Sequence, residues 1–262
     1  MSYRISLIGT GNLAWHLAPA LENAGYGVFE VYGRTPKSVK SLVSRLYEAE
    51  IKKDLDFSNS KSDVFVISTS DDSVQEIAQE ISLPANDSVL VHTSGSLSAG
   101  VLSYAATDHI GIFYPLQSFS KDKQVDFSEI PICVEGESSL AGGVLLELGR
   151  AISNQVVSIN SEQRMALHLA AVFANNFVNH FISISNDILK ENKLDQNLLY
   201  PLIKETLSKA AKIGAKVAQT GPAKRHDFQT LDRHLEYLKK NEELAEVYRI
   251  VSQHIVDSHP LD

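Results

Sequence analysis

Short apolar runs alternate with helix-like segments along roughly the first 160 residues of the chain. Runs such as 63–68 (Asp-Val-Phe-Val-Ile-Ser) are mostly apolar, as expected of strands that are covered on both faces of a sheet. The segments between them place apolar residues three or four positions apart, which is typical of helices. This alternation predicts an α/β domain with a doubly wound, mostly parallel sheet. The predicted strands are 3–8, 28–33, 63–68, 88–92, 109–115, 130–134 and 156–159.

After Ser161 the pattern is helical for about a hundred residues. The predicted helices are 162–189, 195–218, 230–238 and 242–257. We therefore predict that residues 1–155 form the α/β domain and that residues 156–262 form an all-α C-terminal domain. The first long helix carries more apolar side chains than one covering layer needs, so we expect a homodimer through the helical domain. The side chains in question are Val172, Phe173, Phe177 and Phe181.

A glycine-rich turn directly follows the first predicted strand. Gly9 allows a sharp turn, Gly11 lets the backbone approach a pyrophosphate, and the small Ala14 lets the helix pack close to the strand. Free N–H groups and the positive end of the helix then face the anion. This predicts a nucleotide-binding Rossmann domain, with an empty groove or a different ligand as the alternative. The predicted cofactor contacts here are Gly9, Thr10, Gly11, Asn12, Leu13 and Ala14.

The end of the second predicted strand indicates which dinucleotide is bound. An acidic residue at this place would hold the ribose hydroxyls and repel a 2′-phosphate. The chain has Gly33 there, followed by Arg34, Thr35 and Lys37, and these three side chains can all bind a phosphate dianion. We therefore predict NADP(H) rather than NAD(H). The alternative is that Arg34 stacks on the adenine or is a solvated turn residue.

Ser68 ends the third predicted strand, and the short polar residues Thr69, Ser70, Asp71 and Asp72 then open the next helix. Ser68, Thr69 and Ser70 are candidate cofactor contacts. Such side chains cap helices. In a Rossmann sheet the same loop also lies beside the cofactor. Capping is their first interpretation, and cofactor contact is the second.

Composition and charge count against several other classes of protein. Lys+Arg 24 against Asp+Glu 32 gives a net charge of −8, which does not favour a nucleic-acid partner. No apolar run approaches the roughly 20 residues of a membrane span. Since the single Cys133 also fits a reducing compartment, we expect a cytoplasmic protein with no membrane partner. The histidines form no HxxxH or HExxH pair, so no metal site is predicted.

The glycine turn and the helical second half together resemble the superfamily of pyrroline-5-carboxylate reductase, ketopantoate reductase and 6-phosphogluconate dehydrogenase. The first half is also similar to the NADP-binding domain of deazaflavin-dependent NADP oxidoreductases. Most of the chain resembles a family of bacterial Rossmann-like NADP oxidoreductases with no settled reaction. The resembling segments are 92–95 (His-Thr-Ser-Gly), 114–117 (Tyr-Pro-Leu-Gln), 168–176, and 220–222 (Thr-Gly-Pro) with Arg225, Asp227 and His234. The resemblance implies NADP(H) and a small-molecule substrate.

Hydroxyacid dehydrogenases of this superfamily carry a lysine on the long helix and an asparagine one turn later. The long helix of this chain has no lysine before Lys190. The corresponding candidates are His168 and Asn175, and Asn179 shares their face in a regular helix. One interpretation is a proton donor with an amide clamp. The other is a hydrogen-bond network inside the helical bundle.

Two more groups of polar residues are candidate substrate contacts. At the end of a predicted strand, His92 can donate a proton, and the hydroxyls of Thr93 and Ser94 can bind a carbonyl, an imine or a carboxylate. Alternatively, these residues cap the next segment. Further along, Arg225 either anchors a substrate anion or forms an internal ion pair with Asp227.

These features predict an NADP(H)-dependent oxidoreductase that transfers a hydride to a small carbonyl or imine substrate in the cleft between the two domains. Either His168 or His92 would supply the proton. The alternative is a non-catalytic NADP-binding sensor or scaffold protein, which the missing helix lysine favours. A test for turnover of NADPH distinguishes the oxidoreductase from the non-catalytic protein.

Overall fold

Residues 3–85 and 87–261 are described by the computed structural model. The chain divides into two compact units, Met1–Val178 and Asn179–Asp262. The first unit contains a β-sheet with flanking helices, and the second unit is helical.

Eight strands of the first unit form one sheet. They are β1 (Arg4–Ile8), β2 (Gly27–Tyr32), β3 (Glu50–Lys52), β4 (Val64–Ile67), β5 (Val89–His92), β6 (His109–Pro115), β7 (Ile132–Gly136) and β8 (Val156–Ser158). Their order across the sheet is β3-β2-β1-β4-β5-β6-β7-β8, and β6 and β7 form the antiparallel pair. The first six strands have the 3-2-1-4-5-6 order of a Rossmann sheet, in which the order reverses between β1 and β4. The predicted fold class is confirmed.

Helices pack on both faces of this sheet. They are α1 (Asn12–Asn23), α2 (Pro36–Val43), α3 (Asp71–Glu80) and α4 (Ser139–Ile152), and α5 (Ser161–Ala171) follows the last strand. The buried apolar residues form two clusters. One joins Leu17 and Leu145 to Ile5, and the other joins Ile77 to Phe65. Because both faces are covered, β4 and β5 are buried along their whole length, which explains their continuous apolar pattern.

The sequence pattern predicts seven strands and misses β3. That strand is only three residues long, Glu-Ile-Lys, and it lies at the edge of the sheet beside β2. An exposed edge strand does not need an apolar run, so its sequence carries little signal.

The predicted domain boundary between residues 155 and 156 falls within the first compact unit. β8 pairs with β7 in the sheet, and the guanidinium of Arg164 on α5 is buried against that sheet. The compact unit therefore continues to Val178. The prediction that residues 1–155 bind the cofactor and residues 156–262 bind the substrate stays a prediction.

The second unit is built from helices joined by short connections. They are α6 (Val178–Glu191, beginning at the boundary), α7 (Tyr200–Ile213), α8 (Ala215–Ala218), α9 (Phe228–Leu238) and α10 (Glu242–Ser258). The predicted helix 195–218 is divided at Gly214, whose φ of 83° lies in the left-handed region that favours glycine. Within the described part of the chain, no helix has the length and apolar character needed to cross a membrane.

Candidate functional site

The glycine turn lies where the strand order of the sheet reverses. Gly9 has a φ of +121°, and a Cβ there would come within 2.1 Å of the Ser68 carbonyl oxygen. Any other residue would therefore be strained and would collide with backbone. The Gly9 amide donates to the Tyr32 carbonyl oxygen at 2.8 Å, which ties the turn to the end of β2. The turn is thus rigidly placed at the carboxyl edge of the sheet, the usual ligand crevice of such folds.

The start of α1 is open to an anion. Gly11 precedes the helix, and among the described residues no side chain caps its first N–H groups and no acidic residue lies in its first turn. A Cβ on Gly11 would meet only the Ser68 carbonyl oxygen, at 3.9 Å, so open space lies in front of the backbone here. Uncapped N–H groups and a helix dipole with space before them fit a pyrophosphate.

A groove of about 610 Å³ runs along this edge. Most of the predicted cofactor and substrate contacts line it together: Gly9, Thr10, Gly11, Asn12, Leu13, Arg34, Thr35, Ser68, Thr69, Ser70, Thr93 and Ser94. Two predicted cofactor contacts do not. Ala14 is fully buried behind the turn, where a small residue lets α1 approach β1, and Lys37 is exposed on α2. Neither residue lines the groove, and their contact with the cofactor stays a prediction.

One wall of the groove is formed by residues that are not among the predicted contacts. Its additional lining residues are Tyr32, Leu55, Asp71, Ser73, Glu76, Ile77 and Glu80. The last four share one face of α3, since they are spaced three or four positions apart. Helical spacing in the sequence shows that these residues share a face, but it does not show that this face borders a groove.

The chain is closely packed at residue 33, directly after β2. A Cβ on Gly33 would lie 3.0 Å from Val39 Cγ2 and 3.1 Å from Thr10 Cγ2. Arg34 and Thr35 follow it and line the groove. This part of the groove therefore offers a guanidinium and a hydroxyl where a carboxylate would reject a 2′-phosphate.

His92 is fully buried, and both of its ring nitrogens have partners. The Ser94 amide donates to Nδ1 at 3.1 Å, so the proton lies on Nε2, which is 3.3 Å from the Ser98 carbonyl oxygen. Burial lowers the pKa of His92 from 6.5 to about 4, so the ring is neutral at neutral pH. A neutral ring with no free nitrogen favours the capping interpretation over proton donation.

His92 should make the protein lose stability in mild acid. The unfolded chain binds a proton at this residue below about pH 6.5, whereas the folded protein does so only near pH 4. Between these values the unfolded state binds more protons, so the free energy of unfolding falls as the pH falls. The expected contribution is about 3 kcal/mol, measured by urea unfolding at pH 7 and pH 4.

Comparison with variants isolates this contribution from the carboxylates that titrate in the same range. His92→Gln should lose less stability between pH 7 and pH 4 than the wild-type protein does. His254→Gln removes an exposed histidine and should keep the wild-type loss. Equal losses in all three proteins would contradict the role assigned to His92.

The loop after β5 holds its own hydroxyls. Ser94 Oγ accepts hydrogen bonds from the amides of Ser96 and Leu97, each at 3.1 Å, and Ser96 Oγ donates to Asp71 at 2.5 Å. Thr93 Oγ1 is 3.5 Å from the Ile67 carbonyl oxygen, a weak contact. Thr93 is therefore the freer of the two predicted substrate-binding hydroxyls.

Tyr114 and His168 form a pair beside this loop. Tyr114 Oη lies 3.2 Å from His168 Nδ1, and burial raises the pKa of the Tyr114 phenol. A Cβ on Gly95 would lie 2.6 Å from both His168 Nδ1 and Tyr114 Cζ, so the pair packs directly on that glycine. Ser94, the preceding residue, lines the groove. The pair thus places an imidazole at the edge of the candidate site.

Arg164 fixes α5 to the same loop. Its guanidinium is 1% exposed, donates to Glu135 Oε2 at 3.0 Å and to the Gly95 carbonyl oxygen at 2.8 Å. Ser161 also donates to the Glu135 carboxylate. Because Arg164 lies one turn before His168, this buried ion pair sets the position of the histidine relative to Gly95.

A π-helical turn, Val172–Phe177, follows α5. Its wider hydrogen-bond spacing adds roughly one residue to the turn and shifts the later residues around the helix axis. In a regular helix Asn175 would share a face with His168, whereas π-helical spacing would bring Asn176 toward that face instead. Both asparagines are exposed. Residue spacing assumes a regular helix and cannot reveal this change.

Arg225 lies in a tight turn of the second unit, where its amide contacts the Gly221 and Pro222 carbonyl oxygens. Asp227 caps α9, accepting from the Thr230 amide at 3.1 Å. Hydrogen bonds from Thr230 lower the pKa of the Asp227 carboxyl. Within residues 3–85 and 87–261, no ion pair joins Arg225 to Asp227. The structure thus favours capping for Asp227, and the role of Arg225 as a substrate anchor stays a prediction.

The strand order, the glycine turn and the uncapped helix together define a dinucleotide-binding Rossmann protein. Residues 4–95 match the family described as NADP oxidoreductase coenzyme F420-dependent, and residues 130–255 match a domain of unknown function, DUF2520. The crystal structure of the putative NADP oxidoreductase BF3122 from Bacteroides fragilis is 37% identical to the chain, with 98% of each chain covered and a TM-score of 0.88. The chain belongs to this family of two-part NADP oxidoreductases, which confirms the resemblance inferred from its sequence.

More distant solved structures share the fold. A pyrroline-5-carboxylate reductase from Coxiella burnetii is 14% identical, with 98% of this chain and 97% of that one covered and a TM-score of 0.61. An imine reductase from Myxococcus stipitatus, solved with NADP+, is 16% identical, with 98% and 95% covered and a TM-score of 0.64. At these identities the likeness concerns the fold alone. No curated protein sequence matches the chain.

Proposed function

We propose that the protein reduces a small C=N or C=O substrate with NADPH, and that His168 supplies the proton. The observation that carries this proposal is the Tyr114–His168 pair, which packs on Gly95 beside the groove that begins at the glycine turn. The imine and pyrroline-5-carboxylate reductases with this fold support the substrate class. Reduction of such a bond needs a hydride at carbon and a proton at nitrogen or oxygen.

The residues of the groove fit NADP(H) at both of its phosphate groups. The uncapped N–H groups of α1 behind Gly11 suit the pyrophosphate, and Arg34 with Thr35 suits the 2′-phosphate. The close packing around Gly33 disfavours a competing carboxylate at this place. When bound, the cofactor supplies the hydride. The protein supplies binding, orientation and the proton.

His168 can act on a substrate through Nε2. Its other nitrogen, Nδ1, faces Tyr114 Oη, and no described residue bonds to Nε2. A protonated ring would give its Nε2 proton to the nitrogen or oxygen that gains the electron pair, and the Nδ1–H of the neutral product ring would remain bonded to Tyr114. Tyr114 is thus a positioning residue. Thr93, Ser94 and Asn175, with Asn176 added by the π-helical turn, are proposed to orient the substrate. The role of Arg225 as an anchor for an anionic group of the substrate stays a prediction.

Replacing Arg34 with alanine should weaken NADPH binding about 10- to 100-fold and leave NADH binding almost unchanged. The reason is that a charge-assisted contact to the 2′-phosphate, worth about 1.5–3 kcal/mol, is lost only for NADPH. Titration calorimetry with both dinucleotides measures this. Lys40→Ala, an exposed lysine of α2 outside the groove, is the matched control and should bind both as the wild-type protein does. An unchanged preference in Arg34→Ala would remove the assignment.

We also propose that the second unit forms a homodimer. Large apolar side chains on its helices are exposed, among them Leu202 (61%), Val217 (68%) and Ile250 (59%). Surfaces of this kind are covered in stable oligomers. Sedimentation equilibrium should give twice the chain mass of 28.8 kDa, and a monomer at micromolar concentration would contradict the proposal.

A further inference from the structure

The segment that follows β6 crosses the glycine turn and the start of α1. Asn12 Nδ2 donates to the Phe119 carbonyl oxygen at 2.9 Å, and His16 Nε2 donates to the Ser120 carbonyl oxygen at 2.8 Å. The His16 and Phe119 rings also lie 6.0 Å apart. Two side chains of the first turns of α1 therefore hold this segment in place beside the turn.

This anchoring places an ammonium group on the turn itself. Lys121 Nζ donates to the Thr10 carbonyl oxygen at 3.0 Å and lies 5.0 Å from the centre of the Trp15 ring. Thr10 is the residue between the two glycines, and it lines the groove. The ammonium is thus held by a backbone acceptor and an aromatic face, while the rest of its hydration shell is open to solvent, because Lys121 is exposed.

The net charge of the groove lining is negative, so an added cation would favour the binding of a diphosphate. The lining residues include three carboxylates, of Asp71, Glu76 and Glu80, against the single guanidinium of Arg34. Arg34 lies at the β2 end, where the 2′-phosphate is proposed to bind. The pyrophosphate would otherwise meet only N–H groups of α1 in a groove of negative net charge, so an added cation at the turn offsets repulsion.

We propose that Lys121 is a pyrophosphate-binding residue, held over the glycine turn by the segment that Asn12 and His16 anchor. The inference rests on the proposed binding of NADP(H) in the groove. It adds a contact from outside the nucleotide-binding motif, more than a hundred residues further along the chain. The ligand class is any dinucleotide or nucleoside diphosphate whose diphosphate reaches the start of α1.

The test uses Lys121→Met, which keeps an unbranched stem over Trp15 and removes the charge. Lys123→Met is the matched control, since Lys123 is an exposed lysine of the same segment and is not bonded to the turn through its ammonium. Titration calorimetry is done on each full-length protein with two probes: NADPH, and adenosine 2′-monophosphate, which has no pyrophosphate.

Lys121→Met should bind NADPH about five- to tenfold more weakly than the wild-type protein and bind adenosine 2′-monophosphate equally well. Lys123→Met should match the wild type with both probes. If Lys121→Met stays within about twofold of the wild type for NADPH, the role of Lys121 is overturned, while the proposed function stands. If it weakens both probes, the segment shapes the groove rather than binding the pyrophosphate, and the proposal also fails. If the wild-type protein binds no NADPH, both proposals fail.

Discussion

Replacing His168 with glutamine is expected to lower kcat by about 10²–10⁴-fold, the usual contribution of a positioned general acid. Glutamine can still contact Tyr114 but carries no titratable proton. NADPH affinity should stay at the wild-type value, because His168 lies beside Gly95 and is not a lining residue of the groove. The measurement is steady-state NADPH oxidation with a substrate identified from a panel of cyclic imines and small keto acids.

Two further variants define the role of the pair. Tyr114→Phe removes one hydrogen bond to Nδ1 and should lower kcat about tenfold, with a changed pH profile and the same NADPH affinity. His254→Gln, on an exposed face of α10, should leave kcat unchanged. A wild-type kcat in His168→Gln would show that the proton comes from elsewhere, and Thr93 would be the next residue to test.

Replacing Arg164 with methionine should lower the free energy of unfolding by about 3–5 kcal/mol. The change leaves the Glu135 carboxylate, whose side chain is 11% exposed, without its cation and the Gly95 carbonyl oxygen without its donor. Urea unfolding measures the loss. Arg150→Met removes an exposed arginine from α4 and should cost less than about 0.5 kcal/mol.

The double variant Arg164→Met/Glu135→Leu separates the lost ion pair from lost packing. Removing both charges eliminates the buried unpaired carboxylate, so much of the stability should return. A double variant as unstable as Arg164→Met alone would mean that the cost comes from the shape of the cavity. In that case the stability lost on replacing Arg164 would not come from its ion pair with Glu135.

The fold could be predicted from the sequence because its signals are local. Buried parallel strands are apolar throughout, and the turn at Gly9 needs glycine both for its φ and for the nearby Ser68 carbonyl oxygen. The position of Arg34 and Thr35 directly after β2 could be predicted in the same way, because it follows from the adjacent sequence. β3 was missed because an edge strand of three residues needs no apolar pattern.

The site was only partly predictable because its contacts join distant parts of the chain. Tyr114 meets His168 across 54 residues, and Lys121 meets Thr10 across 111 residues. Spacing along one element cannot reveal such pairs. His92 was a reasonable candidate as a polar strand end, but only the fold shows that Ser94 and Ser98 occupy its nitrogens. The π-helical turn shifts the later residues around the helix axis, and residue spacing in a regular helix does not predict this shift.

The proposed reaction of this NADP oxidoreductase is the transfer of a hydride from NADPH to a small C=N or C=O substrate. The most direct measurement is the transfer of deuterium from C4-deuterated NADPH into the products of the imine and keto-acid panel, followed by mass spectrometry. We predict one deuterium at the reduced carbon of at least one product, with the rate strongly reduced in His168→Gln. Tight NADPH binding with no deuterium in any product would contradict the proposed hydride transfer and favour a sensor or scaffold that binds the dinucleotide without turnover.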